Sequence, residues 1–251
     1  MARWRIGEHL KERDWEAVVI DLLIVILGVF LGIQVSNWNQ DRQDRADGRR
    51  YVERIRDDLV HDVQSLDQHE RYWRDIASAG ERALAHVEEG DNRDPWALIN
   101  DFYGAGQNWS FSANDSTYEE LRSAGRLNLI ANGELRGKLA DYHVARADEP
   151  RYLAESRPEY RLHIRAVVPY RMQQVLVERC QRGFVRLFTG SCPQPQTRLT
   201  AAAVLKEITS DKQLIGELRT YMTNLAYMRT IGQDRRKRAL SLIADIDSLS
   251  R

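Results

Sequence analysis

The chain has 251 residues, room for one or two domains, and its 37 lysines and arginines balance 37 aspartates and glutamates to a formal net charge of zero. With no excess of either sign, charge gives no argument for a nucleic-acid partner or an acidic substrate. All but five of the cations are arginines, spread over helical faces rather than gathered with aromatics into a binding groove.

Residues 1–16 read as a short tail whose few apolar side chains are Trp4, Ile6 and Leu10. The next stretch, AVVIDLLIVILGVFLGIQV from Ala17 to Val35, is apolar enough for lipid. Nineteen residues at 1.5 Å each span about 28 Å, close to the hydrocarbon thickness of a bilayer. Trp15 and Trp38 flank it as an aromatic belt. The expectation is a transmembrane helix over residues 17–36, with the lipid bilayer as first partner. A cleaved signal peptide would want a small-residue cleavage site, and GIQVSNWNQ offers none that convinces. A buried core helix is the other alternative, since the unbroken apolar run Leu22 to Ile33 is only twelve residues. Gly28 and Gly32 form a G-x-x-x-G, and at about 100° per residue Asp21 falls on the same face. That face suggests helix–helix association and a homo-oligomer. Against it, glycines occur in membrane helices by composition alone, and Asp21 lies near enough to an end to reach headgroups.

From about Asp41 to Glu89 apolar residues return at spacings of three and four. Positions 52, 55, 59, 62, 66, 69, 73, 76, 80, 83 and 87 read V, I, L, D, L, H, W, I, G, A, V, the stripe of one long amphipathic helix continuing the membrane segment as a stalk. Asp94 and Pro95 supply an N-cap and a first helical residue. An aromatic loop follows, GAGQNWSFSAN, in which Trp109 and Phe111 are the residues able to line a ligand pocket. Ser116 and Glu119 have the spacing of a capping box, and Gly125 is placed to end that helix in a left-handed turn. Leu127, Leu129 and Ile130 then dock before a helix from about Asn132 to Asp148.

Pro150, Pro158, Pro169, Pro193 and Pro195 punctuate the next fifty residues, with the loop from Gln181 to Thr200 expected at the distal end. From about Asp211 the period resumes: 214, 218, 221, 225, 228, 232, 235, 239, 242, 246 and 249 read L, L, Y, L, M, G, R, A, L, I, L. The expected fold is all-α: a single N-terminal transmembrane helix continuing into an elongated bundle, residues 37–251, with two long antiparallel helices. The middle helices complete the bundle at the far end. In such a pair Asp62 comes level with Arg235 or Arg238, a polar layer that would specify register.

Two segments of this chain, GVFLGIQVSNWNQ at 28–40 and TYEELRSAGRLNLIANGELRGKLADYH at 117–143, resemble bacterial membrane proteins of the domain of unknown function 6090 family. Asp21, Asn37, Trp38, Asn39, Ser123, Leu127, Leu129, Ile130 and Asn132 match its pattern. Ser36, Gln40 and the extra Ala124 depart from it. The resemblance implies a membrane anchor and a helical fold, and no particular activity.

Cys180 and Cys192 lack metal-site spacing and companions, which leaves a disulfide or two free thiols. An oxidising compartment favours the disulfide. Arg3, Arg5, Lys11 and Arg13 would hold the tail in the cytoplasm, whereas Arg42, Arg45, Arg49, Arg50, Arg54 and Arg56 taken literally favour the reverse. Long domains translocate largely regardless of charge, so the expected location is the bacterial cytoplasmic membrane with the large domain periplasmic.

Chemistry is sparse. His61, His69, His86, His143 and His163 are scattered, and only Asp58-x-x-His61 approaches a helical carboxylate metal spacing. No nucleophile elbow, P-loop or dinucleotide glycine pattern occurs. The reading is an anchored structural or interaction protein without catalysis, metal or cofactor, presenting its distal end to a protein partner. The alternative is a sensor-like ligand-binding module with a pocket near Trp109, against which the sixteen-residue tail leaves no output domain across the membrane. The basic run Arg235 to Arg238 is read as a solvated face, or as a headgroup contact if the chain's end returns to the membrane.

Overall fold

Every regular element among the described residues is helical. The structure, a computed structural model, describes residues 15–109, 111–154, 159–180 and 192–249. The cationic tail and most of the loop expected at the distal end, residues 181–191, lie outside them.

One helix dominates. α1, Trp15–Glu89, runs for 75 residues without interruption, about 110 Å at 1.5 Å per residue. Its first part, Val18 to Val35, is apolar and uncovered on all sides, so the buried-helix alternative for this run does not hold. Its second part is the amphipathic stripe, and nine of the eleven stripe positions are buried, with Val52 and Val87 half-buried. The chain therefore carries the apolar segment and the spine of its core on one continuous rod.

The other elements are α2 (Pro95–Ala105), α3 (Ser116–Ser123), a 3-10 turn (Leu127–Leu129), α4 (Gly133–Ala154), α5 (Glu159–Val167), α6 (Tyr170–Val175, widening into a π turn to Cys180), α7 (Ala201–Ser210) and α8 (Lys212–Leu249). α8 lies along α1, and ion pairs set its register: Glu88 with Arg219 at 2.9 Å, Glu70 with Arg229 at 2.8 Å, Asp67 with Arg236 at 2.7 Å and Asp247 with Arg56 at 2.6 Å. Residue numbers rise on one helix as they fall on the other. Two stripe glycines admit bulky partners across this seam, since a Cβ at Gly232 would sit 2.8 Å from the Trp73 ring and one at Gly80 would strike Met222.

Local caps account for several boundaries. The Asp94 carboxylate accepts from the Ala97 N–H at 3.0 Å, Asn132 from Leu135 at 2.9 Å and Asp211 from Leu214 at 2.9 Å. Gly125 has φ of 66°, and the Arg126 and Gly125 N–H groups return to the Leu121 and Arg122 carbonyls, closing α3 as a Schellman turn. The capping box at Ser116 does not form. Its hydroxyl donates to Asn114 Oδ1 and the Glu119 carboxylate pairs with Arg122, because the helix starts one residue earlier: Asp115 is the N-cap and its carbonyl accepts the Glu119 N–H at 2.8 Å, while Asp58 of α1 accepts the Thr117 N–H at 3.3 Å.

The middle helices do not all gather at the far end. α2, α5, α6 and α7 join α1 and α8 in a distal cluster built on Trp73, Ile76, Phe102, Tyr160 and Leu218. α3, the 3-10 turn and α4 form a second cluster with Ile55, Leu59, Leu242 and Ile246, nearer the apolar segment. Gly48 is what lets α1 meet the turn, for a Cβ there would collide with the Leu129 carbonyl. α4 also passes through Pro150 to Ala154 rather than ending before it.

Candidate functional site

Between the two apolar clusters lies a polar layer. Asp62 is fully buried and Arg235 is 6% exposed. Asp62 Oδ1 accepts from the Asn114 N–H at 2.7 Å and Oδ2 from the Tyr142 hydroxyl at 2.7 Å. Arg235 lies over the rings of Tyr142 and Phe111, at 4.9 and 5.4 Å, and donates to the Tyr142 carbonyl at 3.4 Å. One turn earlier on α1, Asp58 accepts from the Asn114 side chain at 2.7 Å as well as from Thr117. The two acids thus fasten the loop before α3 and the middle of α4 to the central helix. Burial pushes the Asp62 carboxyl above its usual range, opposed by the Asn114 and Tyr142 hydrogen bonds and by the Arg235 charge. Beside them His143 stacks on Tyr118 at 4.2 Å, and its Nδ1 is buried without a hydrogen-bond partner. Burial, then the Arg235 charge, lowers its pKa to about 4. Both oxygens of Asp62 are engaged by protein donors, so the layer holds helices together rather than facing a ligand.

Trp109 and Phe111 belong to this layer's distal margin. The Trp109 ring lies 3.8 Å from the His69 imidazole and edge-on to Tyr72 at 5.6 Å, while Phe111 is edge-on to His69 at 5.5 Å. Both pack on the distal cluster, and their faces are taken by His69 and Arg235. Cys180 and Cys192 are joined in a disulfide, and the Cys192 carbonyl accepts from the Trp96 indole at 3.1 Å, tying the bridge to α2. Trp15 and Trp38 are exposed at either end of the apolar segment, and around Gly28 and Gly32, on the face shared with Asp21, there is open space. The basic run is divided: Arg235 is buried, Arg236 pairs with Asp67 and Lys237 with Asp234. Asp67 lies 32 residues beyond Val35, about 48 Å along α1, so the run is far from the apolar segment.

A cavity of about 640 Å³ opens at the other end of the second cluster, beside the first turns of α1 beyond the apolar segment. The α1 wall carries Asp41, Arg45, Arg49 and Glu53, four residues apart on one stripe, with Val52 between the last two. The opposite wall is the turn around Leu129, and Leu249 closes the end. Three remote segments build this space, which is why no local pattern announced it. Comparison of the chain with protein-family profiles, with curated proteins and with solved structures finds no match.

Proposed function

We propose that this chain is a single-pass membrane protein of the bacterial cytoplasmic membrane whose helical bundle serves as a structural or interaction module, without catalysis. One observation carries the reading. From Val18 to Val35 the large apolar side chains are 46–62% exposed, although they share a helix with the core of the same molecule. A run with a mean hydropathy of 2.7 over eighteen residues is stable in that state when acyl chains cover it. In this arrangement α1 and α8 form an antiparallel bundle, the resemblance noted at residues 28–40 and 117–143 is that of a relative, and the open face at Asp21, Gly28 and Gly32 is where two copies meet. The bundle lies on the periplasmic side, where the Cys180–Cys192 bridge is stable, and its distal end is offered to a protein partner.

Washing isolated membranes with alkaline carbonate tests the anchor: the chain stays in the pellet, and its release into the wash refutes the proposal. Thiol labelling of intact cells after an impermeant reductant tests the side. Modification of Cys180 and Cys192 before lysis is expected, and modification only after lysis places the bundle in the cytoplasm.

A further inference from the structure

The cavity above the apolar segment combines three features that together describe a ligand. It is lined by two cations, Arg45 and Arg49, and three anions, Asp41, Asp44 and Glu53, of which Asp44 is already engaged by protein. Asp41, Arg45, Arg49 and Glu53 enter no ion pair among the described residues, whereas Asp44 and the neighbouring Asp47 are engaged by Gln40, Arg50 and Arg126. Its inner wall is mainly apolar, Val52, Leu129, Ile130 and Leu135 beside Asn128 and Asn132. Val52 is half-buried, and Leu249, the last position of the α8 stripe, is 54% exposed although the other ten stripe positions are buried. The stripe thus loses its cover where the cavity begins. Its volume of about 640 Å³ falls within the roughly 300–1,000 Å³ of small-molecule sites.

Position supplies the source. Asp41 lies six residues beyond Val35 and Glu53 eighteen, about 9 and 27 Å along α1. Beyond the hydrocarbon a bilayer carries about 5–7 Å of headgroup on each side. The edge of the mouth at Asp41 therefore lies just outside the headgroup layer, with Arg45 one turn beyond it and the apolar end at Leu249 farther out. The charges left without a protein partner, two cations flanked by acids, match a headgroup bearing both signs, with phosphate toward the two guanidinium groups and ammonium toward the adjacent Asp41.

We propose that this cavity binds a zwitterionic phospholipid of the adjoining leaflet, the phosphate of a phosphoethanolamine-type headgroup held between Arg45 and Arg49, its ammonium toward Asp41, and one acyl chain turned outward onto Val52, Leu129 and Leu249. The assignment rests on the membrane-anchored reading, and it makes the bundle a lipid-engaging module rather than a passive stalk.

The test uses the full chain in phosphatidylethanolamine–phosphatidylglycerol vesicles containing a trace of phosphatidylethanolamine with a diazirine at the end of one acyl chain. After irradiation the label is mapped by peptide mass spectrometry. Label is expected both within residues 18–35 and around residues 128–135 and 249. Reversal of the rim cations, Arg45→Glu with Arg49→Glu, lowers the second label at least fivefold and leaves the first unchanged. Both side chains are exposed, so the fold survives, and Leu249→Trp, which fills the end of the cavity, lowers it without altering rim charge. Label confined to residues 18–35, or insensitive to both changes, overturns the lipid site. Absence of label from residues 18–35 as well overturns the anchoring reading and this one with it. A diazirine carried on phosphatidylglycerol labels residues 128–135 at least threefold less, and equal labelling overturns the zwitterionic match.

Discussion

Replacing Asp62 by leucine is the sharpest perturbation of the bundle. The change removes the acceptor for the Asn114 N–H and the Tyr142 hydroxyl, both at 2.7 Å and both deep in the interior. Hydrogen bonds to a charged group contribute about 1.5–3 kcal/mol each. Arg235, 6% exposed, would also lose its Coulombic attraction to the Asp62 carboxylate, a further cost of about 1–2 kcal/mol at an effective dielectric near 20. Relief of the carboxylate's own desolvation, the main cause of its raised pKa, offsets part of this, leaving a net loss of about 3 kcal/mol. Arg235→Met leaves Asp62 its two donors and costs about 2 kcal/mol. The double variant falls short of the sum by about 1 kcal/mol, because the attraction between the two charges is then lost only once. Urea denaturation followed by circular dichroism reads this as a midpoint lower by roughly 1 M for Asp62→Leu. A loss below about 1 kcal/mol, or strict additivity in the cycle, would refute the view that this layer couples the two clusters.

Three further outcomes follow from the same geometry. His143 has a folded pKa of about 4 against 6.5, so its neutral form is preferred. The stability it contributes is full above pH 6.5 and is lost as pH falls toward 4, at most about 3 kcal/mol. His143→Phe keeps the stack on Tyr118 and flattens the urea midpoint over that window; an unchanged pH slope excludes His143 as its cause. Gly48→Ala sets a Cβ against the Leu129 carbonyl, a backbone atom that cannot move aside, and costs 2 kcal/mol or about that. Gly125→Ala, at φ of 66° in open space, costs about 1 kcal/mol, and thermal unfolding showing the reverse order would contradict the close approach at Gly48. Reduction of Cys180–Cys192, which closes a separation of 12 residues, destabilises by about 3 kcal/mol. A melting temperature insensitive to reductant would deny the bridge a structural part.

The two long helices were legible because a stripe is a global property of many residues, and one misfit such as Gly80 or Asp62 does not erase it. Asp94, Asn132 and Gly125 were legible as boundaries because their partners lie within five residues. Ser116 misled because the helix starts from Asp115, whose carbonyl takes the Glu119 N–H, and the Asp58 carboxylate that accepts from Thr117 is brought there by tertiary packing, which leaves no trace in local spacing. The polar layer was half visible. Stripe arithmetic set Asp62 level with Arg235, whereas Tyr142 and Asn114 come from elements whose register against α1 the periodicity does not fix. The same limit hid the division of the middle helices between two clusters, and hid the cavity, whose walls belong to α1, the turn at Leu129 and the end of α8.

The central claim is that α1 is one rod, dissolved in acyl chains up to Val35 and packed in protein beyond Val52. Spin labels placed singly from position 18 to position 46, in the full chain reconstituted in bilayers, report it through collision with dissolved oxygen against a polar nickel chelate. Oxygen should dominate from 18 to 35, cross over near Trp38 and give way to the chelate by Arg45. Chelate access through Leu22 to Ile33, equal to that at Arg45, would contradict the account.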